Sequence, residues 1–453
     1  MPPPIRKTPA NSRQSRQQQP DPVEHMQPAT SDSIVHSAAE APFGGTLAEW
    51  LDWKLTLHAQ DIALGLERVR QVAARLDVLT PAPHCVVVAG TNGKGSCVHL
   101  IEALLRCRGH RVGAYTSPHL WRYNERVRVD GTAVADADLC VAFAAVERAR
   151  RDTALTYFEY GTLAALWLFQ RSRLDYAVLE VGLGGRLDAV NIIDADVALV
   201  TNIGLDHAAW LGNNRQAIGC EKAGVMRPDR PVVCADRAPP PVLQQHADTV
   251  GATFHLIGRD FDIGLRHWHG RSGARLEWPQ VLPPHVLADN MAAALAVTAL
   301  LSELPLPSGS VQQAAADCRQ LRGRCEVVDD GRVPVIYDVA HNCEAMAVLV
   351  DYLQANPVPG ATHVVVGMLA DKPVEAVTRL LAPLADCMYA ADLASVSPRG
   401  LDSAALAGRM GHGVQPAGMP DATLAMVRAS TQPGDRIVVC GSFFTVALAR
   451  AEV

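Results

Sequence analysis

Between an apolar run, His84–Ala89, and a helical pattern from about Cys97 to Arg108 stands the segment G-T-N-G-K-G-S, Gly90–Ser96. Three glycines let the main chain turn tightly and bring its N–H groups against phosphate oxygens. The helix that follows adds its positive N-terminal end, and Lys94 adds a cation. A strand before such a loop and a helix after it are the context in which it grips a nucleoside triphosphate. The chain is therefore constrained to an α/β fold with this strand end facing ATP. In the usual form of the loop Ser or Thr follows the lysine directly. Here Gly95 intervenes before Ser96, so the hydroxyl that normally reaches the metal has to come from elsewhere.

The rest of the sequence agrees with that fold. Amphipathic patterns at Leu47–Leu57 and Leu66–Leu76 precede the loop. Apolar runs at Val112–Thr116, Tyr176–Val181, Val197–Ile203 and Pro231–Ala235 alternate with helical patterns at Asp136–Arg151 and Phe158–Arg171. Runs of this length predict a largely parallel sheet covered on both faces. Asp260–Pro284 reads as short antiparallel strands, and a helix from Val286 to Leu301 closes this half. A second α/β series begins near Cys325, with strands at Val333–Tyr337, His363–Met368, Met388–Leu393 and Arg436–Cys440. Helices at Ala345–Leu353, Val374–Leu384 and Ala422–Ala429 separate them. A length of 453 residues favours two domains. The expected division is a disordered tail at 1–44, an ATP-binding domain at 45–318, a linker at 319–324 and a second domain at 325–453.

Bulk properties exclude several classes. The net charge of −6, with both signs spread along the chain, argues against nucleic acid as the main partner. No run reaches the ~18–20 apolar residues of a membrane span. The Pro-, Gln- and Arg-rich N-terminus lacks the apolar core of a secretory signal, and its prolines suit a transit helix poorly. The 11 cysteines form no C-x-x-C pair, which fits buried thiols in a reducing cytoplasm better than a disulfide framework or a zinc site.

Phosphoryl transfer needs Mg²⁺, which prefers oxygen ligands. Ser117, Glu180 and His207 stand at or just past strand ends, where α/β sheets place ligands. Glu180 lies in the apolar strand L-E-V-G, where a carboxylate is costly unless paired or metal-bound. An ion pair would satisfy Glu180 equally. Ser117 has the alternative of a turn serine, and His207 that of a cap or core histidine.

The segments L-G-L-E-R-V (64–69), S-P-H-L-W-R-Y-N-E-R-V-R-V (117–129), Y-F-E-Y-G-T-L-A-A-L (157–166) and L-E-V-G-L-G-G-R-L-D-A (179–189) follow one another with the glycine loop in an ordered series. L-D-H (205–207), E-K-A-G (221–224), Y-D-V-A-H-N (337–342) and C-G-S-F (440–443) complete it. From Thr46 onward the chain resembles the bacterial bifunctional dihydrofolate synthase/folylpolyglutamate synthases of the Mur ligase superfamily. The resemblance implies an N-terminal P-loop ATPase domain like the Mur ligase central domain, a smaller C-terminal Rossmann-like α/β domain, and an active site in the cleft between them. It implies ligation of L-glutamate to dihydropteroate or to reduced folates through an acyl phosphate, by a cytoplasmic monomer.

The same resemblance assigns roles. Thr91, Asn92, Gly93 and Lys94 would hold the ATP phosphates, with Asn290, Arg324 and Asp338 as further ATP contacts. Ser117 and Glu180 would bind one Mg²⁺. His207 and a carbamylated Lys222 would bind a second; unmodified, Lys222 would pair with a phosphate or an acid. Lys94, His207 and Lys222 form the catalytic set. Asp61, Ile62, Ala63 and Leu64, with Leu187, Asp188, Ala189 and Val190, would face the pterin. Ala63 replaces a usual aspartate and Val190 a usual threonine, whose hydroxyl is lost. Phe444 and Pro373 stand where His and Asp are usual. The remaining alternatives are a monofunctional folylpolyglutamate synthase and a nucleotide-binding scaffold without catalysis.

Overall fold

Strand β1, His84–Ala89, buries every position but its first. Cys85, Val87 and Ala89 enter one hydrophobic core, and Val86 and Val88 enter another on the opposite face. Side chains alternate along a strand, so an unbroken apolar run requires cover on both sides. The computed structural model describes residues 40–58, 63–264, 267–277, 282, 286–301, 306–307, 309–318, 321–329 and 331–450, all within one unit, Ala39–Val453. Asp61, Ile62 and most of the expected tail lie outside the described residues.

β1 joins β2 (Val112–Tyr115), β3 (Val127–Val129), β4 (Thr132–Ala133), β5 (Tyr176–Glu180), β6 (Val197–Val200), β7 (Pro231–Cys234) and β8 (Thr253–Leu256) in one sheet. The order is β4-β3-β2-β5-β1-β6-β7-β8. Only the β2-β3-β4 edge is antiparallel. β1 runs between β5 and β6, with Val88 opposite Glu180 and Ala89 opposite Val200. The glycine loop thus leaves the sheet between the ends of its two neighbours. β9 (Asp262–Ile263), β10 (His267–His269) and β11 (Arg275–Glu277) form a small antiparallel sheet, as the sequence predicts for this region.

The second series forms its own sheet from β12 (Glu326–Val328), β13 (Val335–Asp338), β14 (Thr362–Val366), β15 (Cys387–Ala390), β16 (Val414–Pro416) and β17 (Arg436–Cys440). Its order is β12-β13-β17-β14-β15-β16, with β12 antiparallel. A core covers each face of this sheet too.

The helix Lys94–Arg106 packs beside the helix Ala288–Leu301, whose residues Met291–Val297 are all buried. A helix apolar all round belongs inside, and this one carries Asn290 to the glycine loop. Several predicted strands run long. The ladder of β6 stops at Val200, whereas the apolar run continues to Ile203; the difference is loop that carries the site. The helix Leu47–Lys54 ends on a buried lysine. Its Nζ donates to Tyr123 Oη (3.1 Å) and lies 4.1–4.5 Å from the ring centroids of Phe143, Tyr157 and Tyr123.

Candidate active site

The loop conformation depends on its glycines. Gly90 has φ +148°, and a Cβ there would stand 1.7 Å from Thr201 Oγ1. Gly93 has φ +81°, and its Cβ would meet the Asn290 amide at 2.7 Å. The loop is strapped to the end of β6. Thr91 N–H donates to Asn202 O (2.9 Å), Asn92 N–H to Asn202 Oδ1 (2.8 Å), and Thr201 Oγ1 to Asn92 O (2.6 Å). Lys94 is not a free surface cation. Its Nζ donates to the carbonyls of Gly90 and Thr91, both at 3.1 Å.

Glu180 ends β5 with its carboxylate buried, accepting the Ser117 N–H at 3.0 Å. Burial raises its pKa, and the nearby Lys94 charge opposes that rise. A Cβ on Gly95 would stand 3.4 Å from Glu180 Oε2, an ordinary contact, so the helix start lies beside the carboxylate. His207 sits at φ +52°, with burial lowering its pKa to about 4; its imidazole is neutral at pH 7 and able to ligate a metal. Lys222, on the helix Arg215–Ala223, donates to Gly90 O at 2.7 Å. Burial first, and then the Lys94 charge, hold its pKa well below that of a free lysine. Ser117, Glu180, His207 and Lys222 all line one cleft cavity of about 430 Å³, together with the loop. A hydroxyl, a buried carboxylate and a neutral imidazole are donor types that a divalent cation accepts, although no three His, Cys, Asp or Glu side chains converge as a ready ligand set among the described residues.

A side cavity of about 230 Å³ adjoins it, lined by Asn92, Gly93, Asn290, Arg324 and Asp338. The sequence candidates for ATP contact beyond the loop thus meet in one place. The Asp338 carboxylate accepts the N–H groups of Cys325 (2.8 Å) and Ala340 (2.7 Å). Burial raises its pKa and Arg324 opposes this. Arg324 lines both cavities and rests 5.5 Å over the Phe443 ring.

Residues 88–228 match the family model for the Mur ligase middle domain, and 323–443 match the Mur ligase, glutamate ligase domain. The dihydrofolate synthase/folylpolyglutamate synthase of Escherichia coli K12 is 42% identical over 402 residues, spanning 88% of this chain and 94% of that protein. The chain belongs to the dihydrofolate synthase/folylpolyglutamate synthase family. The Haemophilus influenzae member is 37% identical across 75% of this chain and 81% of its own. Among solved members, E. coli FolC in complex with DHPP and ADP superposes with TM-score 0.83 at 41% identity, covering 89% of this chain and 96% of that one. The Yersinia pestis enzyme complexed with AMPPNP and Mn ion gives 0.82 at 42% identity, with 89% and 97% covered. The expected fold, an ATPase domain of the Mur middle-domain kind followed by a smaller Rossmann-like domain, is the one observed.

Family resemblance alone did not single out the groups that join the two halves of the site. Asp206 accepts from Lys372 Nζ (2.6 Å) and Asn342 Nδ2 (3.1 Å), and His341 Nε2 stands 3.2 Å away. Asn92 and Asn342 exchange side-chain hydrogen bonds at 3.2 and 3.0 Å. Asp206, His341 and Lys372 line the cleft cavity. Asp206 and His341 sit inside the motifs L-D-H and Y-D-V-A-H-N, and Lys372 directly precedes Pro373, which was the available signal. Arg126 is a further cation on that wall, its Nε donating to His119 Nδ1 at 2.8 Å.

The pterin-side candidates are only partly gathered. Gly65 N–H reaches Leu187 O at 3.4 Å, so the segment after Ala63–Leu64 touches the segment Leu187–Val190. None of Leu187, Asp188, Ala189 and Val190 lines the cleft cavity, however; Gly182, Leu183 and Gly184, just before them in the chain, do. Val190 is fully buried in the core, so a hydroxyl at that position would not face the cavity wall. Asp188 turns inward as a cap, accepting Leu183 N–H and Val190 N–H, both at 2.9 Å.

Burial pushes the Asp188 carboxyl up to about 6, well above the usual carboxylate range. A raised pKa means that its favourable contribution is complete below the unfolded value and is lost as pH rises through about 6. Asp188→Asn carries no charge to desolvate. Its unfolding free energy relative to the wild type is expected to improve by about 1–2 kcal/mol between pH 5 and pH 8. Denaturant melts at the two pH values check this. A difference that stays constant with pH would mean that the carboxylate is not desolvated in the fold.

Proposed function

We propose that this chain joins L-glutamate to the carboxylate of a pterin or folate substrate at the expense of ATP, adding the first glutamate to 7,8-dihydropteroate and extending the tails of reduced folates. The observation that carries this reading is the meeting of the two cavities on one phosphate loop. The side cavity suits a nucleoside, and the cleft cavity holds cations that suit a carboxylate substrate.

The N–H groups of Thr91–Lys94 and the Lys94 ammonium hold the phosphates. Asn290, Arg324 and Asp338 hold the nucleoside end. The substrate carboxylate attacks the terminal phosphorus, giving an acyl phosphate and ADP. The amino group of glutamate then adds to the acyl carbon, loses a proton, and expels phosphate to leave an amide. A bare carboxylate is a poor acyl donor, and the acyl phosphate overcomes that. Positioning and charge stabilisation supply most of the acceleration. Ser117 and Glu180 would hold one Mg²⁺ ion, and His207 with Lys222 as its carbamate would hold a second; the metal would supply neutralisation of phosphate charge. A neutral amine is the form that adds to CO₂, and the buried Lys222 favours that form. Ala63, Leu64 and Leu187–Val190, with Asp61 and Ile62 outside the described residues, form the pterin side. Asp188 and Val190 act there by shaping the loop.

The ATP-binding domain spans 45–318 and the second domain 325–453; the separate sheets support that division. A cytoplasmic monomer fits the cysteines, all free among the described residues. No helix among the described residues is long and apolar enough to cross a membrane.

The test is incubation with ATP, Mg²⁺ and L-glutamate together with either dihydropteroate or tetrahydrofolate. Glutamylated product is expected from both. Product from tetrahydrofolate alone would leave a monofunctional folylpolyglutamate synthase. ADP release independent of glutamate and pterin would refute a ligase altogether.

A further inference from the structure

Asn290 and Asp338 both line the side cavity, and their exposures are only 7% and 8%. They are satisfied differently. The Asn290 side-chain amide forms no hydrogen bond among the described residues. A buried amide in that state is completed by whatever fills the cavity. The Asp338 carboxylate, in contrast, is held by the chain itself.

Asp338 ends β13, and the antiparallel register pairs Glu326 of β12 with Tyr337. Cys325, one residue before β12, therefore stands directly across from Asp338, and it too lines the side cavity. Its N–H donates to Asp338 Oδ2 at 2.8 Å, and its thiol donates to the same oxygen at 3.4 Å. Asp338 Oδ1 accepts the Ala340 N–H at 2.7 Å. A carboxylate oxygen has room for two hydrogen bonds. Oδ2 is thus filled by one residue, and Oδ1 keeps an acceptor position for a ligand. Cys325 has φ +44°, a conformation costly for any residue with a Cβ. Glycine would relieve that cost but would bring no thiol to the carboxylate.

Arg324, next to Cys325 in the chain, lines both the side cavity and the cleft cavity. Asp338 is therefore near the phosphate end of the side cavity, where a nucleotide has its ribose. The ribose hydroxyls are donors that a carboxylate accepts.

We propose that Cys325 is a positioning residue for the nucleotide: its thiol and N–H together fill one oxygen of Asp338 and fix the other toward a ribose hydroxyl. The inference rests on the reading of the side cavity as the nucleoside site given above.

The test uses the full chain, with ADP, 2′-deoxyADP and 3′-deoxyADP as probes and isothermal titration calorimetry as the readout. The wild type is expected to bind one of the two analogues about 10-fold more weakly than ADP, which identifies the hydroxyl that Asp338 accepts. Cys325→Ala is expected to bind ADP about 5- to 10-fold more weakly and to bind that analogue as the wild type does, because the contact the thiol supports is already missing. Cys325→Ser keeps a donor and should bring ADP binding back to within about 3-fold of the wild type. In the ligase assay the Ala variant should show the loss in KM for ATP and not in kcat. A purely structural role would weaken all three nucleotides alike, so equal losses in the Ala variant overturn the proposal. Wild-type affinity for ADP in that variant overturns it too, as does equal binding of all three nucleotides by the wild type. A protein that binds the nucleotides in the expected pattern but forms no amide would refute the ligase reading and leave the role of Cys325 standing.

Discussion

Lys94→Ala is expected to lower ligase turnover by about 10³-fold, the scale seen when a placed charge-stabilising group is removed. The ammonium is the loop's own cation, and the lining of the cleft cavity puts it beside Glu180, Lys222 and Asp206. The lysine also supports the fold of its own loop. Its two hydrogen bonds to Gly90 and Thr91 carbonyls hold the loop closed, so the variant should also lose about 1–3 kcal/mol of stability. Steady-state assay and denaturant melts read the two effects separately. Turnover within tenfold of the wild type would remove Lys94 from the phosphate-holding set.

Asp206→Asn is expected to cost about 3–5 kcal/mol, because it leaves the buried Lys372 ammonium without its counter-charge. Turnover should fall by about 10²-fold as His207, next in the chain, is displaced from its place in the cleft. The double variant Asp206→Asn/Lys372→Met should recover much of the stability and little of the activity. A double variant no more stable than the single would show that the ion pair is not the source. The pH sign follows from Asp206 itself. Burial pushes its pKa up, but the His341 hydrogen bond and the charges of His207 and Lys372 outweigh that and hold it well below the carboxylate range. Its stabilisation is therefore present above the unfolded value near 3.9 and is lost only as pH falls below that. The Asn variant should lack this acid-labile component.

These two residues mark the boundary of what is legible in the sequence. Lys94 belongs to a contiguous motif whose every member has a local reason, and the loop, its strand and its helix can be read without a fold. Glu180 is legible because a carboxylate in an apolar strand demands a partner. The Asp206–Lys372 pair joins positions 166 apart, and no local pattern connects them. Strands β3 and β4 span three and two residues, too short for alternation to show. Lys54 misleads in the other direction: a lysine at the end of an amphipathic helix suggests solvent, yet a ring of tyrosines and a phenylalanine encloses it. Val190 reads as a lost pterin contact because sequence gives no direction for the side chain; in the fold it points into the core.

The paired amides of Asn92 and Asn342 lie 250 positions apart. During translation the glycine loop emerges from the ribosome long before Asn342, Asp338 or Lys372. Until they arrive, Asn92 lacks its partner and a bound nucleotide has one wall. A chain cut short before Asp338 would carry the phosphate loop but not the second wall of the nucleotide site, and is expected to lack ligase activity.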